Sequence, residues 1–398
     1  MATVKHALII GGGIAGPVTA LALNKAGIRS TIYESYPTTA EGQGAGMMLA
    51  PNGLNALKII GVDAELQAVS RPISRMTFAN SRGKTLGAFN GLEGMQASRV
   101  VWRSDLYKVL REATEKAGIP IVHGKQLVAA SETSDGVHAQ FADGSTASGD
   151  VLVGADGIRS TVRELIDPNA PSPQYQGFLG FGGGAPRGVA NVAEDTMTFV
   201  FGKHAFLGYW EDPALGICWF GSLPHATPLS MAQVRQVSAI QWLDRLRDLY
   251  QDDQPAQTFL RHADPNQLLS TGGSEMMPPV PHWHSQRMVL VGDAAHAPSS
   301  SSGQGASLAI ESAIQLARCL RDIPQPHDAF VRYEQLRRAR VEKVAANAAK
   351  TNSQKASGPL AKALMHVLMP IAMKTFFNPR KMFESLHTYQ IDWAAPAL

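Results

Sequence analysis

His6-Ala7-Leu8-Ile9-Ile10-Gly11-Gly12-Gly13-Ile14-Ala15-Gly16 carries the strongest structural signal in this 398-residue sequence. An apolar run of strand character enters a glycine turn that fits G-x-G-x-x-G, and Pro17 to Ala26 then has helical character. Arg29 to Glu34 reads as a second strand, so the N-terminal segment predicts a βαβ unit. In such a unit Gly11 permits the tight turn, Gly13 lets a pyrophosphate approach the backbone, and Gly16 packs helix on strand. Ile14 and Ala15 stand at the helix start, where free N–H groups and the helix dipole favour phosphate. Glu34, with Ser35 beside it, ends the next strand 23 residues after Gly11. A carboxylate there accepts hydrogen bonds from ribose hydroxyls and repels a 2′-phosphate, which favours NAD or FAD over NADP at this site.

Composition narrows the class. The formal charge is +3, from 36 basic and 33 acidic residues, and 44% of residues are hydrophobic. This balance excludes a polyanion binder or a disordered tail, so nucleic acid is not an expected partner. Cys218 and Cys319 are too few for a disulfide scaffold or zinc cluster, and no Asn-x-Ser/Thr sequon occurs. A reducing cytoplasm is the expected location, with no metal. The uncharged run Ala7 to Leu23 invites a signal-peptide or membrane reading, but five of its residues are Gly or Pro and its length is short for a span. At about 150 residues per domain the chain predicts two or three domains.

Further helices are expected at Pro51 to Ile60 and Arg103 to Ala117, and strands at Pro120 to Val122 and Asp150 to Gly154. From Pro171 to Ser285 the composition turns aromatic. Met197, Phe199 and Phe201 alternate on one strand face, and Ile217 and Trp219 repeat the spacing, which predicts a mostly antiparallel sheet. A buried strand returns at Gln286 to Val291, followed by a turn and a helix from Gly303 to Leu320. Helices are also expected from Ala329 to Ser353 and from Pro359 to Phe377. Arg337, Arg338 and Arg340, interleaved with Glu334 and Glu342, read as a solvated helix face, and His282 and His284 as structural histidines.

A second constellation separates FAD from NAD. Gly292-Asp293-Ala294-Ala295-His296 follows the strand Met288 to Val291, and Gly303-Gln304-Gly305-Ala306 opens a helix. A carboxylate ending a strand holds a ribityl hydroxyl, and a helix N-terminus stabilises the negative charge of a reduced flavin near N1. Together with Gly154-Ala155-Asp156-Gly157-Ile158-Arg159-Ser160, these motifs resemble the single-component FAD-dependent aromatic hydroxylases, the para-hydroxybenzoate hydroxylase-like flavoprotein monooxygenases. Supporting pieces are Gly44-Ala45-Gly46, Pro51-Asn52-Gly53, Val101-Trp102-Arg103-Ser104-Asp105-Leu106 and Phe141-Ala142-Asp143-Gly144, and the similarity covers residues 4 to 345.

The resemblance implies an α/β chain with a Rossmann-like FAD-binding domain (1–72, 100–170 and 285–345), an inserted mostly antiparallel substrate domain (73–99 and 171–284) and a C-terminal helical segment (346–398). It implies that Arg103 contacts the pyrophosphate or ribityl chain, Leu127 lies beside adenine, and Asp293 binds the ribityl chain. Gly46 and Gly303 would border the flavin, Gly305 and Ala306 its pyrimidine, and Asp156 belongs to a motif linked to both FAD and NAD(P)H. The implied activity is hydroxylation of an electron-rich aromatic small molecule with NADH or NADPH and O2, through a flavin C4a-hydroperoxide. Phe201, Tyr209, Trp219, Pro298 and Ser300 are the expected substrate-lining residues, with His204 or Tyr209 the candidates for ionising a phenol.

Two departures from the family pattern stand out. Ser300 replaces a usual proline, and Glu41 and Gln43 occupy a stretch where many members place an arginine. A non-oxygenating flavin oxidoreductase, an idle FAD-binding protein and an NAD dehydrogenase are the competing readings. Nothing in the sequence sets an oligomeric state.

Overall fold

The structure, a computed structural model, describes residues 4–39, 45–355 and 379–397. The expected Pro359 to Phe377 helix, together with Glu41, Gln43 and Gly44, lies outside the described residues. Among the described residues no helix is long and apolar enough to cross a membrane.

His6–Ile10 is the central strand of a five-stranded parallel sheet ordered Met288–Leu290, Val151–Gly154, His6–Ile10, Arg29–Tyr33, Ile121–Val122. Parallel strands covered on both faces read as continuous apolar runs, and Leu8, Ile9, Leu152, Val153 and Val289 are fully buried. The register sets Ile10 level with Tyr33 and Gly154, and Gly154 level with Leu290. The four turns that follow these residues therefore leave the sheet along one edge. The first helix, Ala15–Lys25, starts two residues earlier than Pro17, because proline needs no hydrogen-bond acceptor in a first turn. This helix packs on the long helix Gly305–Asp322.

A second sheet has seven strands, ordered Leu269–Met276, Gln174–Ala185, Gly216–Pro224, Phe206–Asp212, Thr196–Phe201, Arg75–Asn80, Thr85–Asn90. Every pairing is antiparallel except Thr196–Phe201 with Arg75–Asn80. Its outer face packs beneath the helices Ala239–Leu249 and Ala256–His262, burying Leu207, Ile217 and Trp219. Its inner face carries Met197, Trp210 and Cys218, with Phe199 and Phe220 packed against them. A small sheet of Gly46–Leu49, Ser98–Trp102 and Ser70–Ile73 bridges to that inner face. Gly46 is required at the junction, since a Cβ there would lie 2.7 Å from the Trp210 ring.

The helix Pro326–Lys355 runs straight through the 345/346 boundary drawn from the sequence. A further helix, Pro379–His387, leads to an irregular tail whose carbonyls, at Trp393, Ala395, Pro396 and Ala397, accept hydrogen bonds from Arg318, Arg321 and Arg332. The solvated-face reading of the basic run is met only in part by Arg338, which pairs with Glu334 and Glu342 but also donates to the Val280 and Pro281 carbonyls and lies over the Trp283 ring, and it fails for Arg337. Arg337 and Arg340, three residues apart and so on one helix face, turn inward onto Glu311. Arg337 Nη1 lies 2.6 Å from Glu311 Oε2, and Arg340 donates to both carboxylate oxygens at 2.9 Å. Asn52 Nδ2 completes the shell, 2.6 Å from Oε1. Burial alone would raise the Glu311 pKa, but the two guanidiniums prevail and hold it below the usual carboxylate range. Its charged form therefore stabilises the fold above the unfolded-state pKa, and that contribution is lost as pH falls through the lower folded value. Glu311→Ala leaves two cations facing each other in the interior and is expected to cost about 3–5 kcal/mol in urea unfolding. A loss of only about 0–1 kcal/mol, as for exposed pairs, would contradict this packing.

Candidate functional site

Three backbone hydrogen bonds extend the parallel ladder into the turns. Gly11 N donates to the Tyr33 carbonyl at 2.8 Å, Ala155 N to Ile10 at 2.8 Å, and Val291 N to Gly154 at 2.9 Å. Gly11 has φ +104°, and a Cβ there would fall 2.4 Å from the Ala155 carbonyl oxygen. Gly16 is equally constrained, 2.0 Å from the Gly11 oxygen, and a Cβ on Gly292 would meet that of Ala15 at 2.9 Å. The three motifs thus touch one another directly, although the sequence separates them by well over a hundred residues.

Glu34 is fixed at the rim of this cluster. Its Oε2 accepts from Gly12 N at 2.6 Å, and its Oε1 accepts from Ser35 Oγ at 3.0 Å and Tyr36 N at 2.8 Å. Gly13 and Gly305 differ from the packed glycines: neither has a left-handed φ, and a Cβ on either would meet nothing within 4 Å beyond its chain neighbours and its own helix backbone. Nothing in the chain's own packing or backbone demands glycine there. Both lie at helix starts, where bare backbone N–H groups face open space. Gly303, with φ +59°, ends the 3-10 turn that the serine tract forms, and Ser302 Oγ accepts from Gln304 N at 3.1 Å. Ser300 is exposed in that turn, and Pro298 and Ser299 are buried behind it.

Asp293 is open to solvent while its neighbours Gly292 and Ala294 are buried. The surrounding protein nevertheless raises its pKa by desolvation, and the charge of Arg103 opposes that shift. These properties together describe a carboxylate on the wall of a deep cleft. Arg103, exposed at the start of the helix Arg103–Lys116, is held by its own N–H on the Ala45 carbonyl at 3.2 Å. Leu127 is buried in the main core, opposite Phe141.

Asp156 has a building role. Its two oxygens accept from Ser160 Oγ at 2.5 Å and Val162 N at 3.1 Å, shaping the start of the helix Thr161–Ile166, and burial pushes its pKa up. Arg163 then ties this motif to the next by donating to the Ala294 carbonyl at 3.0 Å. Arg159 points outward to Glu275 at 2.7 Å. His296 bonds Ser312 Oγ at 2.9 Å, and burial lowers its pKa to about 3, so it stays neutral and structural.

The aromatic candidates divide by sheet face. Phe201 lies on the inner face, stacked with Phe78 at 6.1 Å. Tyr209 and Trp219 do not reach it. Successive strand residues point to opposite faces, so both are packed on the outer face, Tyr209 edge-on to Phe259 at 4.9 Å and Trp219 at 2% exposure. Burial also raises the Tyr209 pKa, which disfavours a phenolate. His204 is exposed in the turn between the strands Thr196–Phe201 and Phe206–Asp212, close to Asp253. The inner-face residues Trp210 and Phe220 were missed, although their alternation with Tyr209 and Trp219 already contained them; Met48 and Trp102, from the small sheet packed against that face, carried no such signal.

A cleft at the carboxyl ends of a parallel sheet, with bare helix starts and a strand-end carboxylate on its walls, defines a dinucleotide-binding protein. The comparisons agree. The chain belongs to the FAD binding domain family, whose model matches residues 5–348, and within it to the FAD-dependent aromatic hydroxylases. It is 31% identical over 361 residues to the 3-amino-4-hydroxybenzoate 2-monooxygenase of Streptomyces platensis, spanning 84% of this chain and 85% of that one. It is 29% identical over 345 residues to the aurachin C monooxygenase/isomerase of Stigmatella aurantiaca, spanning 85% and 86%. Its fold is like that of Klebsiella pneumoniae HpxO, solved with FAD and uric acid, with a TM-score of 0.83, 22% identity and 96% of each chain covered.

The open Cβ directions at Gly13 and Gly305 and the accessible carboxylate of Asp293 fit FAD in this cleft. Gly13→Ala is expected to leave the apoprotein as stable as wild type while weakening FAD retention at least tenfold, about 1.4 kcal/mol. Gly11→Ala is expected instead to destabilise the apoprotein. Melting curves of FAD-stripped protein, with flavin absorbance after reloading, check both, and wild-type FAD affinity in Gly13→Ala would refute the assignment.

Proposed function

We propose that this protein is an FAD-dependent monooxygenase that takes electrons from NADH or NADPH and inserts one atom of O2 into a small, electron-rich aromatic substrate. The observation that carries the reading is the junction of cleft and sheet. Met48 packs into the inner aromatic face, and a Cβ placed on Gly303 would lie 3.5 Å from its methyl group, in van der Waals contact. The turn that would border the flavin and the apolar wall that would border a substrate thus meet at one residue.

The site residues take the following roles in this proposal. Gly11, Gly13, Ile14, Ala15 and Gly16 form the pyrophosphate cradle, and Glu34 with Ser35 meets the adenosine ribose. Arg103 and Asp293 hold the pyrophosphate and ribityl chain, while Gly305 and Ala306 offer N–H groups to the pyrimidine. Bound FAD supplies reduction by NAD(P)H and activation of O2. The chain's own part is to hold the ring in place, keep the wall dry and orient the substrate against it. The FAD unit is proposed to comprise 1–72, 100–170 and 285–345, with the substrate unit at 73–99 and 171–284. A reducing cytoplasm suits Cys218 and Cys319, which are free, buried, and pushed up to about 12.

Turnover under 18O2, with a panel of phenols and hydroxylated N-heterocycles, tests the proposal. The expected result is one labelled oxygen in the product, with substrate-stimulated NAD(P)H oxidation. A substrate oxidised without label would select the non-oxygenating flavin oxidoreductase instead.

A further inference from the structure

Strand register determines which residues form the inner face of the seven-stranded sheet. Across the parallel pair, Met197 and Phe199 stand level with Met76 and Phe78. On the next strands, Gly208 stands between Phe199 and Phe220, and Trp210 is level with Cys218. The Phe220 ring lies over Gly208, where a Cβ would come 2.2 Å from it, so the glycine makes room for the ring. The result is a continuous wall of rings. Successive centroids are 6.4 Å apart from Trp210 to Phe220, 6.4 Å to Phe199, 5.6 Å to Phe78 and 5.8 Å to Phe89.

Phe78, Phe89, Phe199 and Phe220 are only half-buried, although Leu207, Ile217 and Trp219 on the opposite face are closed over completely. Phe78, Phe199 and Phe220 stand on interior strands, where a ring that keeps this exposure borders open space, and the approach of Met48 to Gly303 places that space beside the Gly303 turn.

Charge is missing from the same positions. Along the four strands from Arg75–Asn80 to Gly216–Pro224, the inward residues are Met, Phe, Gly, Trp, Cys, Ser, Pro and Asn apart from Asp212, which ends its strand. Asp212 is already engaged: it lies 3.6 Å from Arg71 and accepts from the Ala214 and Leu215 N–H groups. At the far end Phe383 stacks on Phe89 at 4.6 Å and contacts His387. Burial and Arg340 lower the His387 pKa to about 4, and Arg340 itself is bound to Glu311.

We propose that the substrate is a neutral, apolar aromatic larger than a single ring, and that this wall discriminates against rings bearing a carboxylate. A carboxylate laid on it would lose its water and gain no cation from those four strands, the nearby Arg71 being paired with Asp212, whereas an uncharged ring system gains burial and stacking along several side chains. The inference rests on the monooxygenase reading for where the flavin ring lies.

The test uses the FAD-loaded protein and matched probes: 2-naphthol against 6-hydroxy-2-naphthoate, and 4-hydroxybiphenyl against 4′-hydroxybiphenyl-4-carboxylate. Calorimetry reads binding, and NAD(P)H oxidation is followed separately. Each neutral probe is expected to bind at least tenfold more tightly than its carboxylated partner. Equal or tighter binding of the carboxylates, or no binding of either neutral probe, would overturn the inference; carboxylates that also stimulated NAD(P)H oxidation would leave the monooxygenase reading standing. Selective binding of the neutral probes without any oxidation would uphold the wall's selectivity and count against the monooxygenase reading. Phe199→Arg is expected to narrow or reverse the preference, and the wild-type comparison decides the matter if that variant does not fold.

Discussion

Close backbone contact between strand ends is the constraint on which this molecule depends. Gly11 presses on the Ala155 carbonyl, Gly292 on Ala15, and Gly16 on Gly11 itself, each at a distance that excludes a side chain. The ladder hydrogen bonds that continue through Gly11, Ala155 and Val291 hold those contacts in register. From them follow the position of Asp293 in the cleft, the reach of Glu34 to the glycine turn, and the start of the helix Gly305–Asp322 beside both.

Behind the cleft, polar groups do what the glycines do in front. Asn52 donates to both Gln304 and Glu311, so the charge cluster of Glu311 with Arg337 and Arg340 is linked to the residue that precedes Gly305. Arg163 links the Asp156 turn to Ala294 in the same way. Buried ion pairs of this kind are weak evidence for stability in themselves, but removing one partner is costly, which makes such clusters effective at holding elements in a single arrangement.

Much of this was legible in the sequence because it is local. The apolar run at His6, the glycine spacing and the carboxylate at Glu34 all belong to one supersecondary unit, and Gly292-Asp293 repeats the strand-to-turn pattern. What escaped the sequence depends on faces. Both faces of the seven-stranded sheet carry large apolar side chains, so alternation separates Tyr209 and Trp219 from Trp210 and Phe220 without saying which set meets the cleft. The same limit applies to Arg337: charge spacing marks one helix stripe, but only the partner helix carrying Glu311 turns that stripe inward. Asp156 adds a role that its motif alone did not show, since its carboxylate shapes its own turn through Ser160 and Val162.

The most direct test of this account is a crystal structure of the protein with FAD. The expected result is a pyrophosphate within hydrogen-bond distance of the N–H groups around Gly13 and a ribityl hydroxyl on the Asp293 carboxylate, with the flavin ring between Gly305 and the inner sheet face. FAD bound with Asp293 left free, or seated away from the line of strand ends, would contradict it.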